Sequence, residues 1–143
     1  MVITANAAAL GAAAPLLAAL MYAGVGVAAL GDVWKSVVKA NIGSERLVVS
    51  GPFRILRHPN YTGELILWTS NAALGLSAAI ASGALRASAG WLAGSAIGAL
   101  GIGFVLMQAA TSLEAKQAEK YAGEPEYEVW IASSWAGPTL TKK

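Results

Sequence analysis

"LILWTSNAALGLSAAIASGAL", residues 65–85, runs for 21 residues without an Asp, Glu, Lys or Arg. About 20 apolar residues rising ~1.5 Å each cross the hydrocarbon core of a bilayer, so this stretch is long enough to span one. Outward from it, residues 1–31 and 87–113 are also uncharged, windows of 31 and 27 residues. Only 13% of the 143 residues are charged and 56% are hydrophobic, whereas an ordinary soluble domain has about 25% charged residues. Three such windows leave too little polar chain to cover them as a buried core. The sequence predicts an all-α integral membrane protein with a single domain over residues 1–143. Its transmembrane helices fall at about 10–31, 64–85 and 88–112, with an ordered polar loop at 32–63 and a tail at 113–143 that carries a C-terminal amphipathic helix.

The first window has no basic flank and outruns the apolar region of a signal peptide. Pro15 is expected near the start of the first helix, where its missing N–H costs nothing. The Ala-rich residues ahead of it read either as a short extramembrane arm or as the remnant of a processed targeting segment. The absence of cysteine excludes a disulfide, a thiolate nucleophile and a cysteine metal site. With one histidine, no metal site is expected. A net charge of +2, with no interleaving of basic and aromatic residues, gives no reason to expect a nucleic-acid partner.

Three crossings place residues 32–64 and the tail on one side and the turn at Arg86 on the other. Lys35, Lys39, Arg46, Arg54, Arg57, Lys116, Lys120, Lys142 and Lys143 share the first side. That bias puts the polar segments in the cytosol, or in the stroma or matrix of an organelle, and the protein is expected in an endomembrane or in an organellar inner or thylakoid membrane. The first helix can extend past the membrane, because Asp32, Lys35 and Lys39 share a face. Gly43, Gly51, Pro52 and Pro59 then break the helix. A second helix is expected to open at Asn60 or Tyr61, with Glu64 in its first turn.

Gly94 and Gly98 lie four residues apart, the spacing that lets membrane helices approach closely. The tail reads as a helix ending near Gly123, a turn at Glu124-Pro125 and a short amphipathic piece whose Trp130, like Trp135, suits the headgroup zone. Each polar residue of "RHPNYTGE", residues 57–64, also has a bland reading. Arg54 and Arg57 serve as topology determinants, His58 satisfies a loop carbonyl, Tyr61 is a belt aromatic, and Glu64 is a charge at a helix start.

Taken as one string, "LVVSGPFRILRHPNYTGELILW" resembles the signature of a membrane superfamily. That superfamily joins isoprenylcysteine carboxyl methyltransferases and phospholipid methyltransferases to the C-terminal domain of steroid 5α-reductases. There, Arg-His-Pro-x-Tyr-x-Gly-Glu follows a Gly-Pro-aromatic-Arg turn, and every element stands here, from Gly51, Pro52, Phe53 and Arg54 to Arg57, His58, Pro59, Tyr61, Gly63 and Glu64. The likeness covers roughly residues 28–131, since "LEAKQAEKYAGEPEYEVW" is similar to the family's closing helix.

The resemblance implies catalytic roles for Arg57 and Glu64. It also implies a cofactor site built from Arg54, His58, Tyr61, Glu64, Glu114 and Tyr127. The cofactor would be S-adenosylmethionine, narrowly preferred, or NADPH, and the substrate lipophilic. The chain departs from the family at Trp34, often glutamine there, at Leu113-Glu114, often two glutamates, and in its ending "SSWAGPTLTKK". It has one helix ahead of the motif where the relatives have more. A non-catalytic subunit of a larger organellar membrane complex, without cofactor and packed against other membrane subunits, is therefore the alternative. His58 or Asn71 could ligate a pigment or lipid in that case. Asn71 and Gln108 are the main polar residues within the spans, and no ionisable residue there marks a transport path.

Overall fold

The computed structural model describes residues 2–140. The described residues form four α-helices: α1 (Val2–Ile42), α2 (Pro59–Ala81), α3 (Ala89–Tyr121) and α4 (Pro125–Ser133). A single 3-10 turn, Gly51–Arg54, interrupts the loop between α1 and α2. Among the described residues there is no strand, only an isolated parallel bridge between Leu56 and Trp135. Three of the helices are long and apolar enough to cross a membrane. The shortest of them, α2, has 23 residues and so measures about 35 Å at 1.5 Å per residue, against a hydrocarbon core of about 30 Å. Leu16, Tyr22, Trp91, Ile97 and Leu100 are exposed along α1 and α3, as expected of side chains that face lipid.

Several boundaries differ from expectation. The Ala-rich start is helical from Val2, so Pro15 lies inside α1 rather than at its head. Helix α2 opens at Pro59, whose fixed φ suits a first helical position. Glu64 is thereby moved out of the first turn, which holds no acid. The third span and the first tail helix are one continuous helix, because nothing between Thr111 and Tyr121 breaks it.

Packing is uneven. Helices α1 and α2 meet closely along Gly24, Ala28 and Gly31 on one side and Pro59 and Gly63 on the other. A Cβ built on Gly63 would lie 2.5 Å from the Ala28 nitrogen, and one on Gly24 would lie 2.6 Å from the Gly63 carbonyl oxygen. Only glycine permits that approach. Helix α3 rests on α2 through Gly103, which faces Leu65. Gly94 and Gly98 meet nothing within 4 Å, so the close approach anticipated there occurs at Gly24 and Gly63 instead. The physical reason is angular: at 100° per residue, Gly94 and Gly98 fall on the side of α3 opposite Gly103.

Candidate functional site

The site is assembled from the inside of the α1–α2 loop outward. At Gly51, φ is +59°, and a Cβ there would overlap the Trp34 indole. Trp34 also donates through Nε1 to Ser50 Oγ at 3.2 Å. The turn buries Phe53, and its carbonyl accepts the Trp130 indole N–H at 2.7 Å. Trp130 is therefore an anchor, 4% exposed, and not the headgroup-zone aromatic that its place in an amphipathic tail suggested. Trp135, by contrast, is exposed.

Next along the chain, the Arg57 N–H donates to the Trp135 carbonyl at 2.8 Å and the Trp135 N–H donates to the Ile55 carbonyl at 2.9 Å. The Arg57 guanidinium donates through Nε to Glu114 Oε1 at 3.0 Å, and through Nη1 to the carbonyls of Ile131 at 2.9 Å and Ser134 at 3.3 Å. His58 Nε2 lies 2.7 Å from the same Glu114 oxygen. An ionised carboxylate can only accept, so it is Nε2 that carries the proton. His58 is 1% exposed, and its ring stacks on Tyr61 with centroids 5.8 Å apart. Tyr127 is buried against Tyr121 and Trp130. Burial, and then the charge of Glu114, hold its phenol above the usual tyrosine range.

Residues 57 apart in sequence thus close on one carboxylate. Charge-assisted bonds of this kind are the strong ones, and the resulting clasp ties α2, α3 and the tail together at one end of the bundle. Arg54 and Glu64 stand apart from it. Arg54 borders a separate, open surface with Val49 and Val129. Glu64, in α2, makes no hydrogen bond or ion pair among the described residues and borders neither of the clefts that flank the clasp.

One cleft, of about 500 Å³, is bordered by Arg57, Glu114, Thr111, Ser134, Trp135 and Pro138. The other, of about 200 Å³, is lined by six cations, Lys35, Lys39, Arg46, Arg57, Lys116 and Lys120, and by no carboxylate. Three of the six have local partners. Lys39 donates to the Ser44 carbonyl, Lys120 pairs with Glu45 at 2.6 Å, and Arg57 pairs with Glu114. Lys35, Arg46 and Lys116 make no ion pair among the described residues.

The loop that carries Arg46 is fixed in place. The Tyr121 hydroxyl donates to the Glu45 carbonyl at 2.6 Å, and the Lys120 ammonium pulls the Glu45 carboxyl below its ordinary range. In the wall of the same cleft, Gln117 Oε1 is buried without a hydrogen-bond partner. From sequence these lysines read only as determinants of topology. The available signals were two i, i+4 pairs, Lys35 with Lys39 on the first helix and Lys116 with Lys120 beside Gln117, each of which shares a helix face.

The sequence model of one protein family, described as "Protein of unknown function (DUF1295)", matches residues 1–134. No curated protein and no solved structure matches the chain.

Proposed function

The chain belongs to that DUF1295 family, and from this premise we propose that it is a membrane protein of the reductase kind that binds NADPH at its positively charged end. The observation that carries the proposal is the six-cation cleft beside the clasp, in which Lys35, Arg46 and Lys116 make no ion pair among the described residues. Cations held together repel one another, and a bound polyanion offsets that cost. The positive-inside bias accounts for the sign of these residues but not for their convergence on one concavity. The charge of the cleft supports a polyanionic cofactor over S-adenosylmethionine, which the sequence narrowly favoured, because a sulfonium cation gains nothing from a wall of six cations. Asn60 before Tyr61 and the tail "GEPEY" resemble the reductase relatives and support the same choice.

In this reading Lys35, Arg46 and Lys116 hold the phosphates. Asn60 and the Gln117 amide add neutral hydrogen bonds from the same wall. Glu114 and His58 fix the orientation of Arg57, and Trp135 offers an aromatic face in the larger cleft. NADPH, when bound, supplies a hydride for a lipophilic acceptor. A second reading, a subunit of a larger membrane complex, rests on Asn71 and Gln108. Both are exposed on the apolar spans and neither has a hydrogen-bond partner among the described residues, which is costly against lipid and is relieved by a neighbouring helix.

Thermal unfolding of the purified protein in detergent, with NADP+ or S-adenosylhomocysteine added, tests the proposal. NADP+ is expected to raise the melting temperature, and Lys35→Gln with Lys116→Gln to abolish the rise. A shift with S-adenosylhomocysteine alone would return the choice to methyl transfer, and a shift with neither would favour the subunit reading.

A further inference from the structure

We infer that Arg57 couples anion binding in the basic cleft to closure of the C-terminal strap, residues 134–140. The inference rests on the reading of that cleft as a phosphate site. Arg57 forms part of the wall of both clefts. Three of its five N–H groups are committed: Nε–H to Glu114, and the two on Nη1 to the Ile131 and Ser134 carbonyls. Nη2 donates to nothing among the described residues. A guanidinium is a rigid planar fork, so the bonds that hold Nε and Nη1 also fix the direction of Nη2. An anion that accepts from Nη2 meets a donor whose orientation is already set and loses little further freedom on binding.

The strap is tied to the body of the protein at its head and at its end. Its backbone is held by the Arg57–Trp135 and Trp135–Ile55 hydrogen bonds and by the Leu140 N–H, which donates to Thr111 Oγ1 at 2.9 Å. Ile131 and Ser134, at the end of α4 and the head of the strap, depend on the same guanidinium for their carbonyls. Locking the fork from the cleft side therefore holds the strap down, and by linkage a closed strap tightens anion binding by the same factor. Arg57 is on this account a positioning residue that bridges ligand and tail. Lysine, with a single ammonium, cannot make both sets of bonds at once.

The experiment is amide hydrogen exchange on the full chain in lipid nanodiscs, read at Arg57, Trp135 and Leu140 with and without saturating NADP+. The expected result is exchange slowed by about fivefold or more, the low end of ordinary coupling between sites. In Arg57→Lys, NADP+ is expected to bind through Lys35, Arg46 and Lys116 while exchange at Trp135 and Leu140 no longer responds. The paired control, Lys35→Gln with Lys116→Gln, is expected to lose the NADP+ response and leave the unliganded strap exchange at the wild-type rate. A melting-temperature rise with NADP+ and no change in strap exchange would overturn the coupling and spare the cofactor site. So would a ligand response that survives in Arg57→Lys. No response of any kind to NADP+ would overturn both.

Discussion

Replacing Glu114 by glutamine keeps the side chain's shape and one acceptor oxygen but removes the charge that Arg57 and His58 share. The Arg57 and Glu114 side chains are 12% and 14% exposed, closer to the buried regime than to the surface pairs that contribute about 0–1 kcal/mol. A hydrogen bond to a charged group contributes about 1.5–3 kcal/mol and a neutral one about 0.5–1.5. Losing the carboxylate charge weakens both bonds and leaves the guanidinium without its counter-charge, at a cost of about 2.5 kcal/mol together. Glu114→Ala goes further and strands a guanidinium and an imidazole, a change that costs about 3–5 kcal/mol for a buried pair. At roughly 4 °C per kcal/mol for a domain of this size, the glutamine variant should melt about 10 °C lower and the alanine variant lower still. Thermal unfolding in detergent measures both. A double-mutant cycle with His58→Gln isolates the shared term, expected at about 0.5–3 kcal/mol. If Glu114→Gln and Glu114→Ala both melt within about 2 °C of the parent, the clasp is solvent-screened and the reasoning fails.

Other outcomes follow from the packing. Gly63→Ala places a methyl 2.5 Å from backbone atoms of α1, which cannot yield as a side chain would. It should destabilise by about 3 kcal/mol, the upper end of overpacking, and a variant as stable as the parent in a denaturant titration would refute the close α1–α2 contact. Trp130→Phe leaves the Phe53 carbonyl without its buried donor and should cost about 1–3 kcal/mol, with faster proteolysis after α4 as the readout. The Glu45 carboxyl, held below its ordinary 4.5 by Lys120, contributes stability that is present above that value and is lost only as pH falls through the lowered pKa. Amide exchange in the 43–47 loop should therefore stay slow at pH 5 and rise only below about 4.5. Release of the loop above pH 5 would contradict the pairing.

Much of this architecture is legible without coordinates, because lipid imposes a simple rule: charge must leave the spans, so the uncharged windows mark the three long helices. The same rule gathers the ionic residues at the ends, and the meeting of His58 with Glu114 agrees with it. Helix limits were less legible. Pro15 within α1 looks like a boundary to local rules, yet a long helix can carry a proline when its neighbours and its own length supply the stability. Among the glycines, sequence spacing pointed to Gly94 and Gly98, while only the rotation of α3 about its axis decided that Gly103 faces α2 and that Gly24 and Gly63 make the close approach.

Sequence alone determined that this is a three-span helical protein and that an Arg-His-Pro-x-Tyr-x-Gly-Glu string lies beside its polar end. What the tertiary structure decided is which polar residues act together. Arg57, His58 and Glu114 close on one another, Trp130 turns inward onto Phe53, Arg54 and Glu64 fall outside the clefts, and lysines from α1 and α3 converge on one concavity. Composition and hydropathy depend on each residue's own solvation and can be summed along the chain. A charged cleft depends on the distances between side chains from different helices, and those distances exist only after the helices have packed.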